Sequence, residues 1–295
     1  MRKLFSALPL VAMMGAAASA APAEDDLAAR GATWWRHVQI LAADDMQGRG
    51  TGTPGYDKAA DYVIGQFQAL GLKPAGVEGY KQPIAFVEQT VLSGESRASL
   101  VGASGETALA VPGDIIFSGS GGPVPGAIDA PMVFAGYGLH LPEVGHDDFA
   151  GLDLKGKIVV VVSGGPAEIS GALKSHARSE RGHWLAAQGA VGMISLVTPG
   201  QVEIPWDRRK ALASAPAVYY EDVAMRDTQT PFLNAQFDPA RSADLFAGSG
   251  QDFAVIAAAA DASKPVASFP LTLRIKAAVA AKRVALSSPN LVAVM

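Results

Sequence analysis

Five histidines, His37, His140, His146, His176 and His183, and no cysteine occur in the 295 residues. The missing thiols exclude disulfides, thiolate zinc sites and cysteine nucleophiles together. His176 and His183 stand seven apart, whereas two imidazoles holding one metal from a single helix need a spacing of three or four. The triplet His146-Asp147-Asp148 is the most ligand-like cluster. It lies between Gly145 and Phe149 in a turn-like stretch, where its carboxylates are expected to cap backbone amides. Asp44 and Asp45 could form a carboxylate pair for acid–base work or for calcium. Directly after a helix and ahead of glycine, they read instead as capping and solvating groups.

Arg49 is flanked by glycines, which lets the backbone approach closely while the guanidinium reaches a carboxylate. Two roles fit it: a structural pair with Asp44, Asp45 or Asp57, which the residues favour, or a place lining a substrate cleft. There is no H-E-x-x-H and no G-x-S-x-G nucleophile elbow. The glycine run over residues 48–55 follows a helix and lacks the Lys-Ser/Thr ending of a phosphate loop. On their own, these residues offer no catalytic or metal-ligating set.

The elements that must position them follow from periodicity. Residues 25–43 carry Leu27, Trp34, Val38 and Leu41 at helical spacing. A second helix opens with Thr53 as cap, Pro54 in the first position and Asp57 near the positive end of the dipole, and stops at Gly71. Its stripe of Ala59, Ala60, Val63, Ile64, Phe67 and Leu70 predicts a core-facing helix. Residues 82–92 read as a strand, residues 100–111 as two short ones broken at Gly102 and Gly105, and residues 118–126 as a turn-rich connection. Strands follow over 132–137 and 157–163. The second is nearly all β-branched and apolar on both faces, as in a sheet covered on both sides.

A helix over 179–188, beginning between Ser175 and Ser179, and a strand over 193–197 complete a strand–helix–strand unit with a parallel pair. Asp252 opens an alanine-rich helix, and residues 270–276 alternate with period two. The last segments read as a strand over 284–288, a turn at Pro289-Asn290, and a continuous apolar run over 291–295. Such a run is expected to be a buried strand of a larger sheet, with partner strands outside this sequence.

Residues 1–20 combine Arg2 and Lys3, an apolar run from Leu4 to Ala18 and the ending Ala18-Ser19-Ala20, the pattern of a secretory signal peptide. The formal charge is −4 and becomes more negative without Arg2 and Lys3, which argues against a nucleic-acid partner. No later apolar run is long enough to span a bilayer. An exported protein, periplasmic or extracellular, with no membrane partner after cleavage is expected. With 49% hydrophobic residues and a length near twice the ~150-residue domain prior, the chain can build two cores.

Taken together, LAADDMQGRGTGTPG at residues 41–55, the helix over 58–70, GLKPAG at 71–76 and the strand QPIAF at 82–86 resemble the entry region of bacterial secreted aminopeptidases with two co-catalytic zinc ions. VFAGYG at 133–138, DDFAG at 147–151, DLKGKIVV at 153–160 and AAQGAVG at 186–192 resemble the protease-associated domain inserted in that family. SSPNLVAV at 287–294 looks like the strand that returns to the catalytic sheet.

The resemblance implies an α/β fold: a partial aminopeptidase-type sheet domain of residues 21–95 and 282–295, and a β-rich α/β protease-associated insert of residues 96–281. It implies peptide substrates, with the insert roofing the cleft. In that family the first H-x-D zinc pair follows the returning strand, and no such pair occurs here after residue 294. Two zinc ions are therefore expected in a full-length parent and none on this chain. In the parent, ions roughly 3.5–4 Å apart would polarise the scissile carbonyl and activate a bridging water. The alternative is a non-enzymatic exported module that binds peptides or proteins.

Overall fold

The computed structural model describes residues 24–295. The signal-peptide reading lies outside the described residues. The chain is a mixed α/β protein, as expected, and divides into two compact units, one ending at Lys73 and one spanning Pro74–Val294.

The first unit holds α1 (Glu24–Leu41), a 3-10 segment Asp44–Arg49 and α2 (Pro54–Ala69). α2 starts where Thr53 Oγ1 accepts the Tyr56 amide at 3.3 Å, and beyond its end Gly71 takes φ +70°. The 3-10 segment folds back on α2 because Gly55 has no side chain, since a Cβ there would overlap the Met46 carbonyl. Met46 is buried in that contact. The expected core-facing stripe is only partly covered. Ala59 and Ala60 are buried, Val63, Ile64 and Phe67 are half-buried, and Leu70 is 74% exposed. On α1, Leu27 and Trp34 of the expected apolar stripe are exposed, Trp34 by 63%. Periodicity chooses the face of a helix, but the cover must come from elsewhere.

In the second unit, β1 (Lys81–Val91) is followed by the hairpin β2 (Arg97–Gly102) and β3 (Gly105–Leu109), then β4 (Ile115–Ser118) and β5 (Ala127–Ala135). β6 (Ile158–Val162), α3 (Gly171–Ala187) and β7 (Gly192–Leu196) form the expected strand–helix–strand unit. α4 (Trp206–Ala211), β8 (Ala217–Tyr220), β9 (Leu233–Phe237), α5 (Phe253–Asp261), β10 (Ser268–Ala278) and β11 (Ala281–Leu291) complete it.

Eight strands make one mixed sheet in the order β3-β2-β10-β5-β6-β7-β9-β4. Its centre, β5-β6-β7-β9, is parallel, and antiparallel strands flank it on both sides. β6 is buried at every residue. Ile158, Val160 and Val162 pack in a core with Phe246, Phe253 and Ile256, whereas Val159 and Val161 pack with Phe149 and Leu185. A strand with apolar side chains on both faces thus has both faces covered.

α3 begins at Gly171, ahead of the Ser175–Ser179 stretch where its start was expected. Ser170 caps it by accepting the Leu173 amide at 3.3 Å, and Lys174 and Arg178 donate to the Pro166 and Gly164 carbonyls at 3.1 and 3.2 Å.

A second sheet has the order β8-β1-β11. β1 and β11 pair antiparallel without a break, from Lys81 opposite Leu291 to Val91 opposite Ala281. The expected turn at Pro289-Asn290 is absent. Pro289 faces Pro83 within the ladder, a pairing tolerated where facing residues exchange no hydrogen bond. The expected burial of residues 291–295 is also absent: residues 291–293 are half-buried, and Val294 is 51% exposed. An apolar run fixes what exposure costs without supplying a cover.

Candidate functional site

At the end of β5 the chain turns through Gly136 and Gly138, both with positive φ, and continues into a two-residue ladder that pairs His140–Leu141 with His146–Asp147. The ladder faces α3, and between them lies a cavity of ≈ 250 Å³. Its apolar wall is an aromatic stack: Trp184 of α3 lies 4.6 Å from His140 and 4.5 Å from Phe149 between ring centroids, each tilted by less than 30°. Glu143, His176 and Glu180 line it as exposed side chains, and Arg181 lines it as a buried one.

Arg181 is 7% exposed. It passes beneath Gly138, where a Cβ would fall 2.6 Å from Val161 Cγ1 and 3.2 Å from Arg181 Cδ, so the turn must be glycine for both its φ and its clearance. Burial first, then the charge of Arg178, lower the guanidinium pKa to about 10 against the opposing pull of Asp148; the group remains charged at neutral pH.

The triplet His146-Asp147-Asp148 organises this corner as a structural unit. Asp147 Oδ1 accepts the Phe149 amide at 3.0 Å, the expected turn cap, and lies 3.4 Å from His140 Nδ1. Asp148 is buried. Its Oδ2 accepts the Leu139 amide at 2.9 Å, and His146 Nε2 stands 3.0 Å from its Oδ1. Burial holds the Asp148 carboxyl above its ordinary range, although the Leu139 amide and then His146 pull the other way.

The remaining candidates do not converge. His37 Nδ1 lies 2.6 Å from Tyr62 Oη, and His183 Nδ1 lies 3.3 Å from the Asp227 carbonyl. Asp45 sits 3.8 Å from Lys58, whose Nζ also donates to the Asp45 carbonyl at 3.1 Å. Arg49 takes a left-handed φ of 56° and is exposed. It makes no ion pair with Asp44, Asp45 or Asp57, so the favoured pairing does not form; Lys58 occupies the place beside Asp45 instead.

Among the described residues, no group of three or more His, Cys, Asp or Glu side chains gathers to hold a metal ion. The described residues thus show no donor set that would hold the two zinc ions of the resembled family. Also among the described residues, no helix is long and apolar enough to cross a membrane.

Sequence reasoning missed Arg181. The signal was available in Ala177, Arg181 and Leu185, whose spacing of four puts the arginine on the buried stripe of α3.

No protein-family model and no curated protein matches the chain. Among solved structures, the chain is similar to the aminopeptidase from Aneurinibacillus sp. strain AM-1, with 19% sequence identity and a TM-score of 0.40. The match covers 88% of this chain and 46% of the other, so the chain spans less than half the length of that enzyme.

Proposed function

We propose that the chain is the non-catalytic front portion of an exported zinc-dependent aminopeptidase. In this reading, residues 21–95 and 282–295 belong to a catalytic domain that acts on the N-termini of peptides. Residues 96–281 form a protease-associated insert that roofs the cleft. Nucleic acid and membrane are not partners. In this reading the metal ligands and the general base are supplied from outside residues 21–295, and the exposed Arg49 is the candidate for contact with substrate.

One observation carries the reading. β1 and β11 are separated by 189 residues in sequence, between Val91 and Ala281, yet pair residue for residue, in a sheet whose third strand, β8, comes from the segment between them. An excursion that leaves and returns on two adjacent strands is the geometry of an insertion into a host sheet.

The test is zinc content and hydrolysis of aminoacyl-anilides by the purified chain. Neither tight zinc nor turnover is expected. Stoichiometric zinc with turnover would overturn the proposal.

The second reading, an exported binding module without enzymatic activity, is favoured by the buried Arg181 guanidinium at its cavity. A monomer that melts in one cooperative step would favour this module over the front portion of a larger enzyme, for which exposed apolar sheet predicts self-association.

A further inference from the structure

Arg181 is a buried cation with no anion on it. Among the described residues, its Nε has no hydrogen-bond partner, and Nη1 reaches only Met193 Sδ at 3.9 Å, a weak acceptor. Asp148, the carboxylate whose charge favours it, already accepts from the Leu139 amide and lies against His146. Arg178 on the same helix adds a like charge. Burying a guanidinium in such surroundings is unfavourable unless something completes its hydrogen bonds.

We infer that the cavity binds a compact carboxylate, which pairs with Arg181 while the rest of the ligand lies against Trp184 and points its far end toward Glu143 and Glu180. A planar guanidinium matches a carboxylate through two parallel N–H donors. Glu143 and Glu180 have no ion-pair partner among the described residues, and they disfavour phosphates and polyanions. They favour a ligand whose other end is neutral or cationic.

The cavity, ≈ 250 Å³, falls below the ~300–1,000 Å³ of sites for drug-sized ligands. Its size suits an amino acid or the last residue of a peptide, which share the α-carboxylate. The inference goes beyond the proposed function and stands whether or not that reading holds.

The test is a titration of the chain, followed by the Trp184 indole N–H signal in two-dimensional NMR. The probes are alanine, propionate, alaninamide, the dipeptide Ala-Ala and sodium chloride at matched ionic strength. Alanine and propionate should move the signal, and alaninamide and chloride should not. If Ala-Ala binds as well as alanine, the source of the carboxylate is a peptide C-terminus; if only alanine binds, it is a free amino acid.

R181M should weaken carboxylate binding by about tenfold to a hundredfold. It should melt no lower than the parent chain, because it removes an unpaired buried charge. If R181M does not fold, the variant E143Q/E180Q carries the test: with two repelling charges removed, it should bind propionate more tightly. Carboxylates that move Trp184 no more than chloride does, undiminished binding by R181M, or unchanged propionate affinity in E143Q/E180Q would each overturn the inference.

Discussion

Arg283 donates from Nε to Gln89 Oε1 at 2.8 Å across the β1–β11 pair, and through this contact both strands hold the connection that follows β4. Gln89 is fully buried. Its Nε2 donates to the Gly119 and Gly122 carbonyls at 2.9 and 3.1 Å, its Oε1 accepts the Val124 amide at 3.3 Å, and Arg283 Nη2 donates to the Val124 carbonyl at 3.1 Å.

Gln89→Ala should therefore destabilise the protein by about 2–4 kcal/mol, since it strands several buried partners at once. Arg283→Ala should cost less, about 1 kcal/mol, because that side chain is on an exposed residue. Urea denaturation of both singles and the double variant checks this, and the double should cost less than the two singles added together.

Asp114 should make stability depend on acid. Burial raises its pKa, but the Ala110 amide at 2.8 Å and the Arg241 guanidinium at 2.5 Å outweigh that and leave it below 3.8. A carboxyl lowered in the folded state adds stability above its unfolded value. That contribution is lost as pH falls from about 3.8 through the folded pKa. Asp114→Asn should cost about 1–2 kcal/mol at neutral pH and show a shallower loss of stability on acidification through this window. Melting at several pH values measures both.

Gly55→Ala sets two effects against each other. Helix propensity alone favours alanine by about 1 kcal/mol. The added Cβ would overlap the Met46 carbonyl, which is backbone and cannot swing aside. The expected result is a net loss of about 1–3 kcal/mol. Faster hydrogen exchange in α2, rather than slower, is its signature.

Ser170→Ala should cost about 1 kcal/mol, because α3 starts at that cap. Amides from Lys174 to Arg178 should be protected from exchange in the parent chain and lose part of that protection in the variant. Uniformly fast exchange there would mean that the helix starts later.

Local chemistry was the legible part of this fold. Thr53, Pro54 and Gly71 each solve a problem at one end of α2, so its boundaries could be read directly. The β-branched run of β6 announced a strand covered on both faces. The start of α3 was not legible, because Gly171 follows the cap and the first turns are polar. Nor was the path of β11, because Pro289-Asn290 has the composition of a turn and only the partner strand carrying Pro83 keeps it extended. The cavity over Arg181 was hidden for a further reason. An arginine on a helix reads as solvated until the turn at Gly138, 43 positions away in sequence, is known to lie over it.

The pairing of Val91 with Ala281 makes the long excursion between them an appendage whose two ends meet at one place in the sheet. Its two ends are cross-strand neighbours, but it is also stitched to β1 along its length: β8 pairs with residues 86–89, and Gln89 holds the Gly119, Gly122 and Val124 backbone. Changes of length away from β8 and residues 119–124 would leave the spacing of Val91 and Ala281 untouched, so the appendage can vary there while its scaffold stays constant.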